Sequence, residues 1–201
     1  MLDISSIEKY DSQKMYRVYD KWPEIARESF ESNQEPVDFH DIDHIVFAGM
    51  GGSGAIGDLF SSILSKSDIH VSLVKGYLLP KTVDKNTLVV ATSVSGNTSE
   101  TLTVLDSAKK LDCSLIAFSS GGKMEKFCEN NQIIFRKIPL FHSPRTSLIN
   151  FTYSILKTLN SIIPIGKNDI MKSLNELDII KKQIDSHNLS DSNPAISLAS
   201  W

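Results

Sequence analysis

The chain has 201 residues, 41% of them hydrophobic, and its 21 lysines and arginines against 24 aspartates and glutamates give a formal net charge of −3. At that length about 70% of the unfolded chain's surface is covered on folding, so one large domain, or one ordinary domain with helical extensions, is expected rather than two full domains. This balance offers no general basic field for nucleic acid or an anionic membrane, no apolar run approaches the roughly 18 to 20 residues of a membrane span, and MLDISSIEKYDSQ lacks the regions of a signal peptide, so the cytoplasm is the expected location.

Residues Ile4 to about Ser32 read as helix, with Ile7, Tyr10, Met15, Val18, Tyr19 and Trp22 at mixed three- and four-residue spacing. Pro23 is expected to break this helix in two. From Asp43 the pattern changes to short apolar runs, HIVFAG, IHVSLVKGY, TLVVATSV, CSLIAFSS and QIIFRKI, each rich in β-branched or aromatic residues. Consecutive apolar positions suit strands buried on both faces, as in a parallel sheet. AIGDLFSSILS and SETLTVLDSAKKL lie between them with helical periodicity. Alternating strand and helix predicts right-handed crossovers and an α/β fold, a three-layer αβα sandwich on a mostly parallel sheet of about five strands.

After Pro144 the reading is helix again. RTSLINFTYSILKTLNSII is apolar nearly all round and is expected to be buried, whereas DIMKSLNELDIIKKQIDSH is amphipathic and is expected on the surface or against a partner. NPAISLASW starts a further helix that stops without a C-terminal cap, so the chain is expected to be the front part of something longer. The division expected is a helical extension over 1–42, an α/β domain over 43–165 and a helical connector over 166–201. Cys113 and Cys128 are too few and too far apart for a zinc site, and Cys113 in CSLIAF reads as a buried, reduced thiol.

Two strand-to-helix turns carry the chemistry. In IVFAGMGGSGAIGDL, glycines 49, 51 and 54 fit G-x-G-x-x-G between a strand and a helix, where free N–H groups and the helix dipole favour an anion. A dinucleotide site also wants an acidic residue at the end of the second strand, and here Lys75, Gly76 and Tyr77 stand there. Nicotinamide binding is therefore disfavoured, although Lys75 meeting an adenosine phosphate keeps it open. The glycines can also be read as a tight packing turn, but Gly51-Gly52 adds a glycine beyond the fingerprint and Ser53 sits where a hydroxyl faces an anion. In SVSGNTSETL, Ser93, Ser95, Asn97, Thr98 and Ser99 exceed what one N-cap requires. Both turns fall at strand carboxyl ends, where ligands of open α/β sheets bind, and two hydroxyl-dressed helix starts would hold one compact phosphate.

At these turns the sequence resembles the sugar isomerase, or SIS, domain family. GMGGSG at 49–54, SVSGNTSETL at 93–102, SSGG at 119–122 and HSPRTSL at 142–148 are similar, in the same order, to motifs of its bifunctional phosphoglucose/phosphomannose isomerase branch. The resemblance implies a phosphate site of Gly52, Ser53, Ser93, Ser95 and Thr98, with Gly52 allowing close backbone approach and Arg145 facing the reacting end of the sugar. It implies aldose–ketose isomerisation of glucose 6-phosphate or mannose 6-phosphate with fructose 6-phosphate through a cis-enediolate, needing no metal and no cofactor, in a homodimer. The family's glutamate and histidine come from a second SIS domain, and no segment here matches them. Glu100 and Glu125, in helices after the phosphate turns, and His142, in a loop, are not promoted to that role. The binding of hexose phosphates without efficient isomerisation is expected of this chain. Its alternatives are a non-catalytic regulatory SIS module, which would dispense with Arg145, and a nicotinamide-dependent oxidoreductase.

Overall fold

A computed structural model describes residues 3–199. The helices are α1 Ile4–Tyr10, α2 Tyr16–Tyr19, α3 Trp22–Phe30, α4 Gly52–Leu64, α5 Ser99–Ala108, α6 Gly122–Asn131, α7 Leu148–Thr158, α8 Lys167–Ile184 and α9 Pro194–Ala199. The strands are β1 His44–Ala48, β2 His70–Val74, β3 Thr87–Ser93, β4 Ser114–Ser119 and β5 Ile134–Lys137, all parallel, in the order β2-β1-β3-β4-β5.

The five apolar runs became the five strands, and every residue of β1 and β3 is buried. Alternate side chains go to opposite layers because a strand repeats every two residues. Ile45 and Phe47 of β1, with Leu88 and Val90 of β3 and Ile116 and Phe118 of β4, pack on one side with Ala26 of α3, Phe60 of α4, Phe151 of α7 and Leu174 of α8. Val46, Ala48 and Val89 face Val104 and Ala108 of α5, while Ala91 and Ala117 face Leu105 of α5 and Met124 and Cys128 of α6. The result is three layers, helix, sheet, helix. Edge strands β2 and β5 are only partly covered, a distinction the apolar runs did not carry.

The N-terminal region differs from the expected pair of helices. Three short helices form, and Pro23 sits in the first turn of α3, where a missing N–H costs nothing and the fixed φ suits the helix. The chain instead breaks after Tyr10 and after Tyr19. At the first break Lys14 has φ +57°, and the Tyr16 N–H donates to the Asp11 carboxylate at 2.9 Å. The long apolar helix begins at Leu148 and not at Arg145, and it is buried as its composition predicts. Helix α8 buries only Ile170 and Leu174 and is otherwise amphipathic. The Asn193 Oδ1 accepts from the Ala195 N–H at 2.8 Å and so caps α9; the end of that predicted helix lies outside the described residues. Cys128 is buried, which pushes its thiol up to about 11, whereas Cys113 is only half-buried because it precedes β4 at the sheet's rim. Among the described residues no helix is long and apolar enough to cross a membrane.

At the amino ends of the strands, His70, His44 and Thr87 stand in register across β2, β1 and β3. His44 is 5% exposed, with Nε2 2.9 Å from Ser72 Oγ and Nδ1 3.2 Å from Thr87 Oγ1. Burial, and then the neighbouring His70, hold its pKa below the ordinary 6.5, against the opposing pull of Asp84 and Asp43. The unfolded chain therefore binds the proton first on acidification. Stability is full above that ordinary value and is lost as the pH falls through it toward the folded pKa. Thermal melts are expected to show a falling midpoint from about pH 7.5 to about pH 5.5, and His44→Gln to flatten that slope. An equal slope in the variant would remove His44 as the cause.

Candidate functional site

The order β2-β1-β3-β4-β5 reverses direction between β1 and β3, and ligands of open parallel sheets bind outside the strand carboxyl ends at such a reversal. The loops that leave β1 and β3 there are the two turns singled out in the sequence. With the Ser143–Arg145 turn and Met15, they enclose a cleft of about 620 Å³.

Helix α4 starts at Gly51, whose φ of +55° belongs to the region glycine tolerates and other residues do not, and no side chain caps it. Gly52 follows at the cleft surface, and a Cβ added there would meet nothing within 4 Å, so the backbone is open to approach. Helix α5 starts at Thr98, again without a side-chain cap. The Ser53 N–H donates to the Met50 carbonyl at 3.1 Å, and the other first-turn N–H groups, with the positive ends of both helix dipoles, lie at the end of the sheet where the cleft opens.

The hydroxyls are arranged to donate. Ser53 Oγ accepts from the Val94 N–H at 3.4 Å, and Ser95 Oγ accepts from the Asn97 N–H at 3.2 Å. In each case the hydroxyl proton is left for something in the cleft. Ser93 is 1% exposed and does not line the cleft. Its Oγ accepts from the Gly96 N–H at 3.1 Å and lies 2.8 Å from Thr98 Oγ1. With Ser93 donating to Thr98, the Thr98 proton points onward, so Ser93 reaches the cleft through Thr98.

Arg145 is exposed and lines the cleft in a turn before α7, and among the described residues its guanidinium makes no ion pair. The turn is wound tightly by Thr146 and Ser147, both fully buried. Their hydroxyls donate to the Ser143 carbonyl at 2.9 Å each, and Thr146 also reaches the Phe141 carbonyl at 2.5 Å. Lys75 does not line the cleft, and its ammonium lies 2.6 and 2.8 Å from the Asp58 carboxylate oxygens in an exposed ion pair.

SSGG has a supporting role that the sequence reading did not give it. Gly96, at φ +67°, packs so closely on the next loop that an added Cβ would lie 1.8 Å from the Gly121 carbonyl oxygen. The Asn97 Oδ1 accepts from the Lys123 N–H at 3.1 Å and the Gly96 carbonyl accepts from the Met124 N–H at 2.9 Å. The start of α6 is thereby satisfied by the loop before α5 and is not left to the cleft. Glu100 and Glu125 lie in α5 and α6 as expected but do not line the cleft, and Glu125 is held by Lys137 at 2.9 Å. His142 is exposed at φ +59° and is not among the lining residues either. The lining also includes Met50, Val94, Ser143 and Pro144, all inside quoted motifs, and Met15, for which the sequence held only an apolar helical position.

The lining contains one cation, four hydroxyls, of which Ser53, Ser95 and Thr98 stand beside the two helix starts and Ser143 in the turn before Arg145, and no carboxylate or imidazole. Among the described residues there is no cluster of three or more His, Cys, Asp or Glu that would hold a metal ion. Such a surface suits a compact anion held by dipoles and hydroxyls, with Arg145 at its side.

The fold is an α/β domain with the cleft at its switch point, as in open parallel sheets. The chain belongs to the SIS domain family, whose profile matches residues 38–162. It is 36% identical over 148 residues to a bifunctional phosphoglucose/phosphomannose isomerase of Caldicellulosiruptor bescii, a match covering 72% of this chain and 43% of that protein. It is 30% identical over 132 residues to a D-glucosamine-6-phosphate 4-epimerase of Sulfolobus acidocaldarius, covering 65% of this chain and 41% of that protein. The chain thus spans about two fifths of the length of the curated relatives it matches. Among solved structures, the C-terminal domain of glucosamine-fructose-6-phosphate aminotransferase from Francisella tularensis shares the fold, with a TM-score of 0.54 at 18% identity over 84% of this chain and 53% of that one.

Proposed function

We propose that this chain is the phosphate-binding part of a phosphosugar isomerase that interconverts glucose 6-phosphate or mannose 6-phosphate with fructose 6-phosphate. The carrying observation is the convergence of Gly52, Ser53, Ser95, Thr98 and Arg145 on one cleft at the β1/β3 switch point, with Ser93 behind Thr98. In this reading the α4 and α5 N–H groups and the hydroxyls of Ser53, Ser95 and Thr98 grip the phosphate, and Arg145 steadies the oxyanion that develops at the sugar's reacting end. A base takes the C2 proton of the open-chain aldose to give a cis-enediolate, a proton passes from the C2 hydroxyl to the C1 oxygen, and return of a proton to C1 restores a carbonyl at C2. No metal, cofactor or nucleic acid enters the scheme.

The acid–base groups would come from outside this cleft, whose lining holds no group able to take a proton near neutral pH. The proposal therefore places them in a second SIS domain and a partner subunit of a homodimer, with residues 1–42 as a helical extension, 43–165 as the phosphosugar-binding domain and 166–201 as the connector. The same lack of a base favours one second reading, a phosphosugar-binding regulatory module. Phosphorus NMR of the 201-residue chain with fructose 6-phosphate over hours separates them in part. A shifted, broadened substrate signal with no glucose 6-phosphate or mannose 6-phosphate peak is expected. Growth of a product peak at enzymatic rates would place the base within this chain, and an unchanged spectrum would end the phosphosugar reading.

A further inference from the structure

Met15 lines the cleft although it lies well ahead of residue 38, where the family match begins. Its position is held from several sides. The Ser143 hydroxyl lies 3.8 Å from the Met15 Sδ, a weak donor contact to the thioether. The Trp22 Nε1–H donates to the Thr146 carbonyl at 3.0 Å, tying the N-terminal helices to the turn that carries Arg145. On the near side the Asp11 carboxylate accepts from the Tyr16 N–H, and this bond, with one from Met15, holds its pKa below the usual carboxylate value. The N-terminal segment is therefore a fixed wall of the cleft and not a loose tail.

The groups around the cleft are chemically unequal. Ser53, Ser95 and Thr98 belong to the two strand-to-helix turns, whereas Met15 contacts Ser143, in the turn that carries Arg145 two residues on. A cleft of about 620 Å³ has room for a hexose phosphate. A phosphate held by the hydroxyls of those two turns leaves the Ser143–Arg145 turn and the Met15 thioether as lining for the rest of the ligand. We infer that Met15 is a specificity-determining residue, the wall against which the carbon chain lies, and that it limits the cleft to phosphosugars without a bulky acyl substituent. This rests on the phosphosugar reading above.

The test compares the full chain with Met15→Ala and with Met15→Leu, which keeps the volume, by calorimetric titration with inorganic phosphate, fructose 6-phosphate and N-acetylglucosamine 6-phosphate. Met15→Ala is expected to narrow the preference for fructose 6-phosphate over the acetylated sugar by about fivefold or more. Inorganic phosphate should stay within about twofold across the three proteins, and Met15→Leu should keep the original preference. An unchanged preference in Met15→Ala overturns the inference, as does a parallel loss of inorganic phosphate binding, which would mark a merely structural role. Failure of the unmodified chain to bind either phosphate or fructose 6-phosphate overturns the phosphosugar reading itself, a result distinct from the other two.

Discussion

Gly96→Ala is expected to destabilise the chain by about 3–5 kcal/mol, a large part of the stability of an ordinary domain. Two independent terms add. The residue has φ +67°, where a side chain strains the backbone, and its Cβ would lie 1.8 Å from the Gly121 carbonyl oxygen and 2.8 Å from the carbonyl carbon. Those contacts are backbone, held by the Ser120 N–H to the Val94 carbonyl at 3.1 Å and the Met124 N–H to the Gly96 carbonyl at 2.9 Å, so neither side can move without breaking hydrogen bonds. Gly52→Ala makes the contrast, because its methyl group would meet open space. It should melt near the parent temperature while losing phosphate affinity, since the methyl occupies the approach to the α4 N-terminus. Chemical denaturation of both variants checks the pair, and a Gly96→Ala protein as stable as the parent would falsify the close-packed loop described here.

Arg145→Ala is expected to weaken fructose 6-phosphate binding about tenfold to a hundredfold, the range of a lost charged hydrogen bond to an anionic or polarised ligand. Its melting temperature should not change, because the side chain is exposed and makes no ion pair among the described residues. Arg145→Lys should recover only part of the affinity, since an ammonium keeps the charge but not the planar fork. Isothermal titration beside a thermal melt reads both quantities. Unaltered affinity in the alanine variant would mean that Arg145 does not meet the ligand.

The layers of this fold were legible because β1 and β3 are buried on both faces, so that residues 45–48 and 88–91 are unbroken apolar runs with the polar residues His44, Thr87, Thr92 and Ser93 only at the strand ends, a pattern no amphipathic helix imitates. The partial exposure of β2 and β5 was not, because an edge position depends on strand order and strand order is a long-range property. Pro23 was read as a breaker from its missing N–H, yet the same property suits it to a helix's first turn, and the start of α3 carries no capping side chain to mark it in the sequence. The cleft was legible in large part because Gly51, Ser53, Ser95 and Thr98 are residues that close packing alone does not demand. Ser93 could not be separated from Thr98 by sequence, since which hydroxyl of a turn is buried is decided by the loop's geometry. Met15 carried only the signal of an apolar helical position, with nothing to tie it to the cleft. Its place in the cleft arises from contacts with Ser143 and, through Trp22, with Thr146, which are distant in the chain.

The turn between β3 and α5 has a consequence for how fast a ligand is captured. Its backbone and side chains are already spent on one another and on the start of α6, through Ser93, Ser95, Gly96 and Asn97. On the phosphosugar reading, an anion arriving at this surface finds the donors of this turn already in position, so little conformational entropy of the turn is surrendered on capture. On the same reading, differences in residence time among sugars are expected to fall to the dissociation step.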